Sequence, residues 1–305
     1  MEKPYKVLLY YKYVPIEDVK GFVVEHKKLC TKLGLKGRVL IGDEGINGTV
    51  AGTREATDEY IETLHSDERF SDMPFKTHGS ADIPFPKLKV RYRPEIVTLE
   101  AAVDPANGGE HLTPAEWHEL AQRDDVVILD ARNDYEAAIG KFKDAVIPDI
   151  QNFREFPEWV EKNKEQLSGK KVLMYCTGGI RCEKASVVVK DAVGSNEVYQ
   201  LQGGIIEYGK EVGDGIWEGS CFVFDERMKV PVGSTDYQVI SVCRFCDKKT
   251  DNYYNCCNAQ CNQLILLCAE CEEKSNAACS EECSDKHRDG KVKHWDIKTR
   301  VAVGQ

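Results

Sequence analysis

Apolar and polar positions along this chain follow two rhythms, one with a period near two and one near 3.6. Residues 5–14, Tyr-Lys-Val-Leu-Leu-Tyr-Tyr-Lys-Tyr-Val, are aromatic and aliphatic with no breaker before Pro15, which predicts a strand. Across 17–33, apolar residues at Val19, Phe22, Val23, Leu29 and Leu33 suit one helical face, and Gly34 supplies a stop. Residues 37–42 read as a buried strand, and Asn47-Gly48 in the segment after it reads as a hairpin turn. Thr53 has the character of an N-cap for a helix with Ala56, Tyr60, Ile61 and Leu64 on one side. The stretch 87–99 adds one or two further strands.

The resulting order β-α-β-β-α-β is the ferredoxin-like (acylphosphatase-like) pattern, which places an α+β domain over 1–95. The rhythm then changes. "PANGG" at 105–109 is a loop, and Thr113-Pro114-Ala115-Glu116 is a helix start with a Thr-x-x-Glu capping box. The continuous apolar runs 126–132 and 171–176 predict fully buried strands, as in a parallel sheet. A helix is expected to begin in "DYEAAIGKF" and turn at Gly140, another to span 182–193, and a strand and turn to follow at 197–204. Alternating strands and helices define an α/β domain over 110–222. A Cys-rich module over 240–290 and a basic tail over 291–305 complete the chain, with no internal repeat.

Composition narrows the function. The net charge of -10 does not advertise a nucleic-acid partner, so any such partner requires local basic patches. Two exist. In one, Lys89, Arg91 and Arg93 alternate and would share one face of a strand, where a cationic stripe suits a phosphate backbone; a solvated strand face is the alternative. The other is 286–300, where Lys286, Arg288, Lys291, Lys293, Lys298 and Arg300 outnumber the acids. No apolar run approaches the ~18 residues of a membrane helix, and the N-terminal segment reads as a strand rather than an export signal. The expected location is cytoplasmic.

The chain has 13 cysteines, nine of them between Cys243 and Cys283. In a reducing compartment such clustering indicates metal rather than disulfides. Four knuckles stand out: Cys243/Cys246, Cys256 or Cys257 with Cys261, Cys268/Cys271, and Cys279/Cys283. Each short knuckle presents two thiolates, so four knuckles imply two structural Zn(2+) ions, and a module with so little apolar content needs metal to fold. Cross-brace pairing, first with third and second with fourth, is expected; sequential pairing is the alternative, and His287 could replace one thiolate.

Cys176 and Cys182 stand apart, in "YCTGGIRC". Cys176 ends a buried strand and a helix follows, the position where ligands gather in α/β sheets. The turn through Gly178 and Gly179 points backbone N–H groups inward, the helix start adds positive potential, and Arg181 adds a cation. All three lower the pKa of a cysteine and make it a nucleophile. The spacing Cys-x4-Arg is tighter than the Cys-x5-Arg cradle of cysteine phosphatases. Asp130 and Arg132 end the neighbouring strand, where they could orient substrate or form a structural ion pair. Glu44 and Asn47 could reach a substrate, and Asp225 and Arg227 could close over the site.

"LDARNDYEAAIGKF" followed by "YCTGGIRCEKAS" resembles a rhodanese-homology domain, with Gly140-Lys141 where Gly-His is usual. Together with "GRVLIGDEGINGTVAG", "GSCFVFDERM" and "YNCCNAQCN", the chain is similar over nearly its whole length to the bacterial rhodanese-containing tRNA uridine hydroxylases. That resemblance implies an oxygen-dependent oxidoreductase that forms 5-hydroxyuridine at wobble position 34 in a tRNA anticodon loop. Molecular oxygen would be co-substrate, Cys176 the catalytic cysteine and Cys182 a second thiol. No fingerprint of an organic cofactor is visible. A sulfurtransferase carrying a persulfide on Cys176, and a non-enzymatic docking module, are the competing readings.

Overall fold

The computed structural model describes residues 3–289, 294–296 and 301–303. The N-terminal part runs β1 (Tyr5–Tyr13), α1 (Val19–Lys32), β2 (Lys36–Gly42), β3 (Gly45–Thr53), α2 (Arg54–His65), β4 (Phe75–Ser80) and β5 (Leu88–Tyr92). Local chemistry sets the helix starts: the Asp18 side chain accepts from the Gly21 amide and Thr53 from that of Ala56. The strands form one sheet in the order β4-β1-β3-β2-β5. Leu8, Tyr10, Val39, Ile41, Ile46, Val50 and Val90 bury one face against Cys30, Tyr60 and Leu64 of the helices. Alternation sends Leu9, Tyr11, Arg38, Leu40, Asn47 and Thr49 to the opposite face, which no helix of this layer covers.

Two expectations are corrected here. Asn47-Gly48 is not a turn but lies inside β3; the chain reverses at Asp43-Glu44, between the paired residues Gly42 and Gly45. Gly48 serves close packing, because a Cβ there would stand 2.2 Å from the Tyr10 ring. The fourth strand of the ferredoxin-like order is Phe75–Ser80, which the hydrophobic pattern does not signal because Lys76 and His78 share the uncovered face with their register partners Leu9 and Val7, and Phe75 alone packs into the helix-side core. The segment 87–99 therefore supplies one strand, β5, added in parallel at the β2 edge.

The second layer system runs β6 (Glu110–Leu112), α3 (Pro114–Leu120), β7 (Val126–Asp130), α4 (Asp134–Ala137), β8 (Gly140–Phe142), α5 (Phe156–Leu167), β9 (Lys171–Tyr175), α6 (Ile180–Val193), β10 (Val198–Leu201) and α7 (Gly204–Glu211). Its parallel sheet has the order β6-β10-β9-β7. The Thr113/Glu116 capping box forms. The helix expected in "DYEAAIGKF" is one turn long, because Gly140 leaves it to pair with β11 (Trp217–Gly219). A Cβ at 140 would sit 1.9 Å from the Ser220 carbonyl oxygen, so only glycine permits that pairing. Apolar clusters cover both sheet faces, one around Leu129, Phe156 and Met174 and one around Trp117, Phe142 and Tyr208.

The chain continues through β12 (Cys221–Phe222), β13 (Lys229–Val230), β14 (Tyr253–Asn255), β15 (Leu264–Leu266), α8 (Ala269–Ser275), α9 (Glu281–Arg288), β16 (His294–Asp296) and β17 (Val301–Val303). Of the expected basic tail, Lys291, Lys293, Lys298 and Arg300 lie outside the described residues. Among the described residues no helix is long and apolar enough to cross a membrane.

Candidate active site and metal centres

Cys176 immediately follows β9, and Thr177-Gly178-Gly179 turns the chain into α6. Helix α6 begins at Ile180, two residues before its expected start, so Arg181 and Cys182 occupy its first turn. The two glycines are demanded by the other domain. A Cβ on Gly178 would meet Leu9 Cδ2 at 2.8 Å, and one on Gly179 would meet Tyr11 Oη at 2.8 Å. Gly179 also has φ +100°, a conformation that side chains strain. The uncovered face of the N-terminal sheet thus packs directly on the loop. From the other side, the Ile205 and Ile206 amides donate to the carbonyls of Cys176 and Thr177 at 3.0 and 3.2 Å.

Cys176 is only 1% exposed, and the Gly179 amide donates to its sulfur at 3.1 Å. Burial by itself raises its pKa. The Cys182 hydrogen bond, the Arg181 charge and the Arg181 and Gly179 amides outweigh burial and bring the thiol down to about 5. Burial and the neighbouring Cys176 sulfur push Cys182 the other way, so it keeps its proton. Arg181 is held by a bidentate pair with Glu136, Nη1 to Oε2 at 2.6 Å and Nη2 to Oε1 at 2.8 Å. Its terminal nitrogens are therefore committed, and it acts on Cys176 through its charge. A folded-state pKa near 5 makes the thiolate the dominant form above that pH. The rate of Cys176 alkylation by limiting iodoacetamide, followed by peptide mapping, is expected to level off above about pH 5 to 6 rather than climb to the ~8.5 of a free cysteine. An inflection at the higher value would show that the loop does not stabilise the anion.

A cavity of about 460 Å³ opens over Cys176. Leu9, Tyr11, Arg38, Leu40, Asn47 and Thr49 of the uncovered sheet face form one wall, and Cys176, Thr177, Gly178 and Arg181 form the floor. Asn133, Arg154 and Phe224 complete it. Sequence reasoning missed Arg38, Asn133, Arg154 and Phe224. Arg38 alternates with Leu40, a signal legible only once the sheet face is known to be uncovered.

The other residues singled out fall into separate places. Asp130 and Arg132 are fully buried and paired, Nη2 to Oδ2 at 2.6 Å, with Arg132 also donating to the Gly140 carbonyl at 2.7 Å. They brace the turn after β7 and do not reach the cavity, which corrects their reading as substrate contacts. Arg227 forks onto Asp225, Nε to Oδ1 at 2.9 Å, beside a smaller adjoining cavity that shares Leu9, Thr49, Thr177 and Phe224 with the main one. Lys89 and Arg91 are register partners of Arg38 and Leu40 and extend the same face to the sheet edge, and Arg93 follows just beyond β5. Desolvation and then the charges of Lys87, Arg38 and Arg91 lower the Lys89 pKa, the mark of a cation cluster short of anions.

Glu44 does not face the cavity as a ligand. It holds Lys184, with Oε2 at 2.8 Å from Nζ, and accepts from the Ile96 amide at 2.7 Å. Glu95 grips the same buried ammonium at 2.7 Å, and Tyr11 Oη donates to Glu183 at 2.8 Å. The start of α6 is thereby latched to the N-terminal domain, which sets the height of the cavity above Cys176.

Downstream, Cys243, Cys246, Cys268 and Cys271 form one quartet and Cys256, Cys261, Cys279 and Cys283 another, with the sulfurs of each within 4.8 Å of one another. This is the first-with-third and second-with-fourth arrangement. Cys246–Cys268 and Cys261–Cys279 sulfurs lie 3.6 Å apart, close to the ~3.8 Å edge of a tetrahedron with ~2.3 Å metal–sulfur bonds. Each quartet could hold a metal ion. Cys257 stays outside both, its amide donating to Ala277, and His287 contacts Asn276 instead.

Comparison with known proteins covers all three parts. Residues 5–96 match the model of the UPF0176 acylphosphatase like domain, 113–211 that of the rhodanese-like domain and 218–284 that of the rhodanase C-terminal segment. A tRNA uridine(34) hydroxylase of Bacillus pumilus is 49% identical over 313 residues, covering 99% of this chain and 97% of that one. One from Bacillus velezensis is 47% identical, covering 97% and 94%. Among solved structures, a rhodanese-like domain from Anabaena matches with TM-score 0.30 and 22% identity, covering 46% of this chain and 93% of that one.

Proposed function

The chain belongs to the tRNA uridine(34) hydroxylase family, and from that premise we propose that it converts uridine 34 of tRNA to 5-hydroxyuridine with molecular oxygen, using Cys176 as nucleophile. The observation that carries this reading is a buried Cys176, its thiol pKa brought down to about 5, at the floor of a cavity of about 460 Å³ between two domains, wide enough for a base with its ribose. The Cys176 thiolate adds to C6 of the uracil, and the electron pair of the C5–C6 bond moves toward C5 and the C4 carbonyl. Oxygen bonds to C5, and a proton completes a C5 hydroperoxide. Two thiol equivalents from an external reductant cleave the O–O bond, leaving hydroxyl on C5 and releasing water and a disulfide. C5 then loses its proton as the Cys176 sulfur leaves C6, which restores the double bond. The Arg181 charge and loop amides hold the thiolate ready at the start and as leaving group at the end.

The substrate base must leave its stack, which a single-stranded anticodon loop allows. Lys89, Arg91, Arg93 and Arg38 lie where they would meet RNA phosphates. Phe224 is 53% exposed at the cavity mouth, an aromatic face suited to stack on a neighbouring base. The two thiolate quartets suit zinc in structural sites, and a tRNA substrate suits a cytoplasmic protein.

The test incubates purified protein with unmodified tRNA, air and a thiol, followed by nucleoside mass spectrometry. The expected result is 5-hydroxyuridine at position 34, absent without oxygen. Unchanged tRNA together with rapid sulfur transfer from thiosulfate to cyanide would replace this reading with the sulfurtransferase.

A further inference from the structure

The uncovered face of the N-terminal sheet carries cations at both of its edges. Register pairing places Lys76 of β4, Leu9 of β1, Thr49 of β3, Arg38 of β2 and Lys89 of β5 in one row across it. Neighbouring strands lie about 4.8 Å apart, so this row runs about 19 Å. Its neutral part stands over the loop, since Leu9 packs against Gly178. The β4 end has no role yet. There a cavity of about 100 Å³ adjoins the one over Cys176. Its floor is apolar and buried, formed by Val7, Val223 and Val230. Phe224 lines both cavities, and Phe222 holds its ring edge-on with centroids 5.1 Å apart. Lys76 lines the smaller cavity, is 7% exposed and forms no ion pair among the described residues. Its ammonium lies 5.0 Å from the centre of the Tyr11 ring. The carboxylates whose charge it feels are engaged elsewhere, Glu207 by Lys210 and Glu183 by Tyr11 and His111. Exposed His78 stands at the rim; desolvation and then the charges of Arg227, Lys3 and Lys210 lower its pKa, so this end too is rich in cations. A buried ammonium without a carboxylate, beside an apolar slot and an exposed aromatic ring, fits a ligand that is both anionic and aromatic.

We infer that this adjoining cavity is a second nucleotide subsite, which takes the base next to the target uridine, stacks it on Phe224 and sets its phosphate against Lys76 and His78. This rests on the hydroxylase reading of the Cys176 cavity. The two cavities share Leu9, Thr49, Thr177 and Phe224, so two consecutive nucleotides can occupy both. The Phe224 ring then stands between their bases and keeps the target from stacking back on its neighbour. The RNA strand crosses the sheet from the Lys89 and Arg91 edge to the Lys76 edge, with phosphates at the cationic ends and the target base over the neutral middle. Apolar walls and an aromatic face read no base edge, so the subsite requires a base without selecting which one.

The experiment measures binding of anticodon stem-loops to Cys176→Ser, which holds RNA without turning it over. One RNA is intact, and two others lack the base on the 5′ or the 3′ side of the target uridine. One of the abasic RNAs is expected to bind about 10- to 100-fold more weakly than the intact one, the scale of a single base–aromatic stack. Adding Phe224→Ala is expected to weaken the intact RNA by a similar factor and to erase its advantage over that abasic RNA. Phe224 is exposed, so its loss leaves the core untouched. Adding Lys76→Met instead is expected to weaken all three RNAs and to reduce the slope of log affinity against log salt by about one, the mark of a lost phosphate contact. Equal affinity for all three RNAs, or abasic discrimination kept by Phe224→Ala, overturns the subsite. So does Lys76→Met that binds every RNA like its parent but, with Cys176 restored, needs more oxygen for turnover, which gives the cavity to dioxygen. Failure of the wild type to form 5-hydroxyuridine on the intact stem-loop is a separate result, and it sinks the hydroxylase reading.

Discussion

Cys176→Ser is expected to abolish 5-hydroxyuridine formation while the protein stays folded. The loop around this residue is arranged for an anion: the Gly179 amide at 3.1 Å, the Cys182 thiol and the Arg181 charge together overcome complete burial. A serine hydroxyl in the same place keeps its proton, since its intrinsic acidity is far below that of a thiol. It therefore cannot add to C6 at neutral pH, and the expected loss is on the order of 10³-fold or more in kcat. The fold should tolerate the change. Serine is slightly smaller than cysteine, and the loop is tied independently by the Ile205 and Ile206 amides. Nucleoside mass spectrometry reports the product and circular dichroism the fold. Retention of product by a folded Cys176→Ser protein would sink the nucleophile assignment.

Removing metal is expected to unfold the Cys-rich module and lower activity with it. Apart from Ile265, Leu267, Ala277 and Ala278, the buried cluster of this module consists of cysteines, and five of those six cysteines belong to the two quartets. That is too little apolar surface to hold so many charged or polar segments together, and structural zinc contributes about 10–16 kcal/mol in small thiolate-bound folds. The damage should travel. Asp251 accepts from Ser220 Oγ at 3.1 Å and from Tyr237 Oη at 2.7 Å and pairs with Lys229, while Tyr253 braces the carbonyl of Tyr135 beside Asn133. Metal analysis is expected to find two zinc ions per chain. A strong chelator, or Cys243→Ser paired with Cys256→Ser, should expose the module to proteolysis and reduce hydroxylation at least about 10-fold by loosening the cavity wall. A chain that binds no metal, or one that is fully protected and active without it, contradicts the assignment.

The legible part of this protein was local. Period-two and period-3.6 patterns located β1, α1, β2 and the buried strands of the parallel sheet because each of those segments buries a face continuous in sequence. Capping at Thr53 and Thr113 was readable because the hydrogen bonds close within three residues. Cysteine spacing exposed the knuckles for the same reason, and "YCTGGIRC" displayed a strand, a glycine turn and a cation within eight residues. Failures came where a distant partner set the meaning. Gly48 resembled a turn, yet it is small to admit the Tyr10 ring. Phe75–Ser80 carried no strand signal, because its polar residues line a junction between domains. Asp130 and Arg132 resembled site residues and proved to be a sealed brace.

Most elements, the candidate nucleophile Cys176 and the thiolate knuckles were therefore readable along the chain, because each depends on contacts a few residues apart. Only the tertiary structure decided how the knuckles combine, that the uncovered sheet face forms the wall above Cys176, and that Lys184 with Glu44 and Glu95 sets the depth of that cavity. It alone also brought Asn133 to the cavity edge. Those arrangements join residues tens to hundreds of positions apart, and no spacing along the chain encodes which surfaces will meet once each has covered its own core.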